Sequence, residues 1–353
     1  MASLATTYRP KTFDEVVGQE YIKEILQSQI KTGEFKNAYL FVGGAGTGKT
    51  TTARIVANEI NNYEGNPIEI DGASNNGVEN VRNIIDDCKY KSLDSRYKIY
   101  IIDECHMLST GAWNAMLKVL EEPPKDTIFI LCTTDPQKIP KTILSRVQRF
   151  DFRRIPTEQI VSRLKEILAY EDELILSNGG PDGYLRDNAD DAALEYIAKL
   201  ADGGMRDSIT MLDKVLGYTS DVTMENVIEA LGAPDYSKFI DLLRHILHSE
   251  LKPMVELIEE FHMSGKDLKL VMRNFCDFVL DVCKYIATKN LSITAVPDMF
   301  RNDLDKLIEQ ADYDFFLYVL EEMSRLNALI KWEPNPKPII QANFLLLTKE
   351  DDE

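Results

Sequence analysis

Residues 38–52 read AYLFVGGAGTGKTTT, and their second part decides what kind of fold this chain can have. Gly43-Gly44-Ala45-Gly46-Thr47-Gly48-Lys49-Thr50 satisfies the pattern GxxxxGK[ST] in full. Glycines let successive backbone N–H groups turn inward and cradle phosphates at a helix N-terminus. Lys49 would reach the β- and γ-phosphates, the Thr50 hydroxyl would ligate Mg²⁺, and Thr51 is counted with the loop. Such a pattern also arises by chance. Here an apolar run, 38–42, leads into it and a helical pattern over 50–61 leads out, which is the strand–loop–helix order of a phosphate-binding unit.

Working outward, NPIEID (66–71), YKIYIID (97–103) and TIFILCTT (127–134) read as buried strands, and RFDFR (149–153) as a fifth. Helical patterns lie between them at about 77–91 and 109–122. Strands alternating with helices imply a parallel sheet covered on both faces. After Ile155 the texture changes. Ile160, Leu164, Ile167 and Leu168 fall on one helical face, and helices are expected over 191–201, 206–217, 223–231, 235–248, 252–263, 267–288 and 312–331. SNGGPDGYLRDNADD (177–191) reads as a loop, and the terminal KEDDE as a solvated tail. The expected class is therefore α/β followed by all-α.

Composition narrows the function. The chain has 353 residues and a net charge of −18, yet residues 1–155 hold 20 Lys+Arg and 20 Asp+Glu. The whole acidic excess lies beyond residue 155. The first part could present a basic face to nucleic acid, whereas the second should repel phosphates. Acidic helices that merely aid solubility would give the same numbers. No signal peptide or apolar run of about 18 residues is apparent, so a cytoplasmic protein without membrane contact is expected. Five cysteines without a CxxC pair fit reduced thiols.

The second half of the site is KIYIIDECH (98–106). Four apolar residues end in Asp103 and Glu104. A carboxylate at the C-terminal edge of a buried strand can hold Mg²⁺, and Glu104 beside it can orient and deprotonate an attacking water. A small-molecule kinase needs no such glutamate and should exclude water from the γ-phosphate. The pair therefore points to hydrolysis coupled to conformational change. Cys105 and His106, as neighbours in the chain, make a poor metal pair and are expected in the core or behind the site.

Together these residues resemble the AAA+ ATPases, and more narrowly the gamma/tau-type motor subunit of the bacterial DNA polymerase III clamp loader. The resemblance rests on YRPKTFDEVVGQE (8–20), NAYLFVGGAGTGKTTTAR (37–54), IEIDGASNNGVENVR (68–82), KIYIIDECHMLSTGAWNAMLKVLEEPP (98–124), TTDPQKIPKTILSRVQRF (133–150) and GGMRDSITMLDK (203–214). It covers about the first 215 residues closely and the helical remainder in type only. It implies three domains: an AAA+ ATPase domain over 1–155, a helical lid over 156–221 and a helical collar over 222–353.

The resemblance also assigns roles. Tyr8, Arg9 and Pro10, with Val17 and Gly18, match the box lining the adenine pocket. Thr134 matches the polar sensor near the γ-phosphate, and Arg206 the lid arginine that touches nucleotide in cis. By pattern alone Thr134 would be a strand-end cap and Arg206 a surface residue. Arg146, in LSRVQ, matches the arginine finger that enters a neighbouring subunit's site, where its charge would stabilise the transition state. Val147 stands where the family usually has Cys. The implied cofactors are ATP and Mg²⁺. The family's cysteine-rich zinc module is replaced by NEINNYEGNP (58–67), so no zinc is expected. No polymerase- or helicase-binding extension is expected after NPKPIIQANFLLLTK (335–349), and a bacterial or phage origin fits this short form.

The implied partners are sister clamp-loader subunits in a ring or spiral, a pentamer by resemblance, together with a sliding clamp and primer–template DNA. Two segments, GASNNGVENVR (72–82) and LSTGAWN (108–114), could aim helix N-termini at phosphates. Ser74, Asn75, Asn76, Ser109 and Thr110 would be short donors there, and Arg82 and Lys89 would extend the contact. Ordinary N-capping explains the same residues. Two other functions stay open. One is a branch-migration type AAA+ motor, which should show a winged-helix pattern at its C-terminus. The other is an ATP-binding scaffold subunit that does not hydrolyse.

Overall fold

A computed structural model describes residues 3–180, 185 and 188–347. The loop expected at 177–191 lies partly outside the described residues, and the tail expected at 349–353 wholly outside. The chain divides into two compact units. One comprises residues 1–168 and 201–213, the other 169–200 and 214–353.

The first unit is built on a five-stranded parallel sheet. Its strands are β1 (Ala38–Val42), β2 (Ile68–Asp71), β3 (Lys98–Asp103), β4 (Thr127–Thr133) and β5 (Gln148–Asp151), in the spatial order β2-β3-β4-β1-β5. Side chains alternate across a strand, and here both faces are covered. Tyr39, Phe41, Ile99, Ile101, Ile128 and Ile130 enter one core cluster with Ile22 and Leu26 of the helix Glu20–Thr32. Leu40, Val42, Tyr100, Ile102, Phe129 and Leu131 enter the opposite cluster with Trp113 and Met116 of the helix Thr110–Glu121. Each such fully buried side chain contributes about 1.5–3 kcal/mol over exposure. This is the α/β fold the phosphate loop implied, with its central strands continuously apolar as parallel sheets require.

One strand differs from its reading. NPIEID was expected to be buried, but Ile68 is 37% exposed, and Glu69 and Asp71 are exposed. The strand is the sheet's edge and pairs only with β3. The connection before it is short. The helix Lys49–Ile60 ends, and the buried Asn61 side chain donates to Tyr97 O and accepts from Tyr97 N–H, both at 2.9 Å. This amide pair fastens the connection to the start of β3.

The second unit is helical. Tyr236 and Phe239 of the helix Tyr236–Leu247 meet Phe275 and Phe278 of the helix Leu268–Thr288, which packs along the helix Tyr313–Ile330. The helices expected from sequence over 191–331 are all present, with ends within a residue of those read. A helix at Arg301–Ile308 was not anticipated.

Candidate nucleotide-binding site

The phosphate loop runs from the end of β1 into the helix Lys49–Ile60. Gly43 N–H donates to Thr133 O at 3.2 Å, so the loop leaves the sheet beside the end of β4. A Cβ on Gly43 would lie 2.6 Å from Phe152 O and 2.8 Å from Phe152 Cβ, so only glycine allows this approach. Gly48, the residue before the helix, has φ +99°, a conformation side chains resist. Thr47 is buried and its hydroxyl donates to Gly44 O at 2.9 Å. Met205 N–H donates to Gly46 O at 3.0 Å, which docks the start of the helix Met205–Tyr218 on the loop.

Lys49 is 6% exposed. Its Nζ donates to Gly43 O at 2.9 Å and Gly44 O at 2.7 Å. Burial pushes its pKa below the ordinary lysine value, while Glu104, Cys132 and Asp103 pull it back up. An ammonium held by two neutral carbonyls in a desolvated loop is poised to take an anionic partner.

Beside it, Thr50 Oγ1 donates to Asp103 Oδ2 at 2.8 Å. Asp103 Oδ1 accepts the Glu104 N–H at 3.0 Å. These are hard oxygen donors, one hydroxyl and one carboxylate, next to a cradle of backbone amides. The set fits Mg²⁺ carried by a phosphate chain, which takes few protein ligands. Glu104 has φ +43° and ψ +44°, a left-handed conformation that costs of order 1–3 kcal/mol for a non-glycine residue. Its Oε2 accepts from Thr134 Oγ1 at 2.9 Å and lies 3.2 Å from His106 Nδ1. Cys105 is fully buried, its thiol pushed up by burial first and then by Glu104 and Asp103.

These groups open on a cleft of about 330 Å³. Of the residues picked from sequence, Tyr8, Arg9, Pro10 and Val17 line it, as do Ala45, Gly46, Thr47, Gly48, Lys49, Thr50 and Thr51. Asp103, Glu104 and Arg206 line it too. Gly18 (φ +69°) sits behind the wall, where its Cβ would face Ile155 and Gln159. Gly43 and Gly44 act through the carbonyls that hold Lys49. Sequence reasoning missed Ala5, Glu15, Val16, Arg54, Ile155, Arg163, Met205 and Ile209. Arg163 donates to Tyr8 O at 3.5 Å and pairs with Glu166 at 2.8 Å. The apolar periodicity of its helix gave no hint of that contact.

Arg146 does not line this cleft. Its guanidinium donates to Thr142 O at 2.5 Å and Ser145 Oγ at 3.0 Å, and pairs with Glu121. Among the residues read as DNA contacts, Ser74 Oγ donates to Asp71 Oδ2 at 2.6 Å and Asn75 Nδ2 to Asp71 O at 3.1 Å. They lie in the turn before the helix Val78–Asp87, not in its first turn. Ser109 caps the helix Thr110–Glu121 by accepting the Ala112 N–H at 3.2 Å, and Thr110 is exposed. Ser109 N–H donates to Asn76 O at 3.1 Å, so the two segments meet. Arg82 and Lys89 are exposed.

Comparison with known proteins follows the same line. A family model described as DNA polymerase III, delta subunit, matches residues 67–156. One described as DNA polymerase III subunits gamma and tau domain III matches residues 222–314. The chain is 35% identical to DNA polymerase III subunit tau of Bacillus subtilis over 362 aligned positions, covering 95% of this chain and 61% of that protein. It is 34% identical to DNA polymerase III subunit gamma of Buchnera aphidicola, covering 78% of each. Among solved structures, the Thermotoga maritima RuvB Holliday junction branch migration motor gives a TM-score of 0.48 at 21% identity. It covers 74% of this chain and 86% of that one, a likeness too loose to bear on function. The chain belongs to the DNA polymerase III gamma/tau subunit family.

Proposed function

We propose that this chain is the ATP-hydrolysing subunit of a clamp loader, which opens a sliding DNA clamp and places it on primer–template DNA in the bacterial cytoplasm. The observation that carries the reading is the 2.8 Å bond from Thr50 to Asp103, with Glu104 alongside in the same cleft. It joins the phosphate loop to the one strand end that carries an adjacent acid pair.

The loop amides and Lys49 bind the triphosphate. Mg²⁺, when bound, neutralises charge developing on the phosphates, and Thr50 and Asp103 are the residues to hold it. Glu104 orients water and accepts its proton, while Thr134 fixes the glutamate. Tyr8, Arg9, Pro10 and Val17 wall the base, and Arg206 contacts nucleotide in cis. Arg146, which does not line its own cleft, supplies charge to the site of a neighbouring subunit. That role implies sister subunits in a ring or spiral, a pentamer by family likeness. A lid over 156–221 and a collar over 222–353 serve that assembly. The paired helix starts near Ser74–Asn76 and Ser109–Thr110, with Arg82, contact the DNA backbone without reading bases.

The test is ATP turnover measured alone, with clamp, and with clamp plus primed DNA. Stimulation by clamp and DNA together beyond either alone supports the reading. Turnover driven by unprimed duplex alone favours a different DNA motor, and no turnover with every partner present favours a scaffold.

A further inference from the structure

The guanidinium of Arg146 is held by three oxygen atoms of its own chain. We propose that one of them, from Glu121, makes that residue a positioning residue for Arg146: its carboxylate fixes the guanidinium, so that the N–H donors left over are presented together to a neighbouring subunit's triphosphate. The inference rests on the reading of Arg146 as the charge lent to that neighbouring site.

Arg146 Nη1 donates to Thr142 O at 2.5 Å and to Ser145 Oγ at 3.0 Å, and Nη2 pairs with Glu121 Oε1. The Ser145 hydroxyl donates in turn to Thr142 O at 3.0 Å, so the Nη1 end sits in a closed local set of bonds. Thr142 and Ser145 are near neighbours of Arg146 in the chain and move with it. Glu121 is 25 residues away and ends a separate element, the helix Thr110–Glu121. It is the partner that ties the side chain to the body of the domain. Both backbones are anchored: Leu120 and Ile143 are buried, and Arg146 N–H donates to Ile143 O at 2.9 Å. The arginine side chain is what remains free to turn. Among the described residues its Nε has no partner. A rigid planar fork clamped at Nη1 and Nη2 therefore offers its remaining donors, Nε–H included, in one fixed direction.

Stability does not explain the pair. The two side chains are 31% and 50% exposed, and surface ion pairs contribute little once water and salt screen them. Its effect is on conformational freedom. An arginine loses much rotamer entropy when it is fixed, and a side chain fixed in advance does not lose it again on entering a neighbouring site. Glu122, next in the chain, is exposed and makes no ion pair among the described residues. The two glutamates thus carry the same charge, and only one of them holds the guanidinium.

The test compares Glu121→Ala, Glu121→Gln and Glu122→Ala in the full chain, assembled with its sister subunits, clamp and primed DNA. Gln keeps a carbonyl acceptor for Nη2 without the charge. The expected result is a roughly tenfold fall in kcat for Glu121→Ala, from the restored freedom of the arginine. Glu121→Gln should recover most of the rate, and Glu122→Ala should match wild type. KM for ATP, affinity for a fluorescent ATP analogue and the melting temperature should stay unchanged, since Glu121 does not line its own cleft. Adding Glu121→Ala to Arg146→Ala should lower turnover no further, because a residue that acts through Arg146 then has nothing to act on. Unchanged kcat in Glu121→Ala, or a rise, would overturn the inference; a rise would mean that the carboxylate restrains the arginine. Equal falls in Glu121→Ala and Glu122→Ala, or a further fall in the double variant, would also overturn it, in favour of a general charge or packing effect. Arg146→Ala alone separates the two levels. If it retains full turnover, the reading of Arg146 fails and this inference with it. If it is inactive while Glu121→Ala is normal, only the inference fails.

Discussion

Thr50 and Asp103 stand 53 residues apart in the chain, and the Thr50 hydroxyl donates to the Asp103 carboxylate at 2.8 Å. The bond ties the first turn of the phosphate-loop helix to the end of β3 and brings together the two side chains proposed to hold Mg²⁺. Asp103→Asn keeps an acceptor for Thr50 but removes the charge. Turnover in Mg²⁺ is expected to fall roughly a hundredfold or more. Nucleotide binding measured in EDTA should be unchanged, and fluorescent-nucleotide titration with and without Mg²⁺ checks both.

Gly43 and Gly217 make a matched pair for stability. A Cβ at Gly43 would meet the Phe152 backbone oxygen at 2.6 Å, whereas Gly217, in the helix Met205–Tyr218, faces open space. Gly43→Ala is expected to destabilise by about 1–3 kcal/mol through overpacking. Gly217→Ala should stabilise by up to about 1 kcal/mol through helix propensity. Thermal unfolding followed by circular dichroism should therefore move in opposite directions for the two.

Asp87 couples stability to acid. Hydrogen bonds from Lys98 and then Tyr100 hold its carboxyl below the ordinary aspartate value of 3.8. A depressed pKa in the folded chain gives stability that is present above the unfolded value and lost as pH falls through the folded one. The side chain is 51% exposed, so after solvent screening the contribution is only about 0.5 kcal/mol. Asp87→Asn should lower the melting temperature slightly at pH 7, and the gap from wild type should close below about pH 4.

Arg82 tests the proposed DNA contact. It is exposed on the helix Val78–Asp87, whose start adjoins Ser109 through Asn76. Arg82→Ala should weaken binding of primed DNA about equally across sequences. It should also reduce the slope of log affinity against log salt by about one. Fluorescence anisotropy over a salt series measures both.

Much of the fold was legible because parallel strands buried on both faces leave continuous apolar runs, as AYLFV and TIFIL do. The edge strand misled: Ile68 and Ile70 are as apolar as core residues, and nothing local says that the sheet ends there. The phosphate loop and the Asp103–Glu104 pair were legible because their chemistry is contiguous in sequence. Tyr8, Arg9, Pro10, Val17 and Arg206 were legible through the family resemblance, but the rest of the cleft's wall was not. Val16, Ile155 and Ile209 come from three separate segments and read as ordinary core residues until the chain brings them together. His106 was singled out, but its approach to Glu104 depends on the turn at Cys105–Met107, which no periodicity announces.

The central claim is that hydrolysis occurs at a cleft completed by the Arg146 of an adjoining subunit. Turnover by assemblies carrying Arg146→Ala, with clamp and primed DNA at saturating ATP, tests it most directly. A loss of about a thousandfold, the scale of an arginine finger, is expected, with nucleotide affinity preserved. Turnover equal to wild type would contradict it.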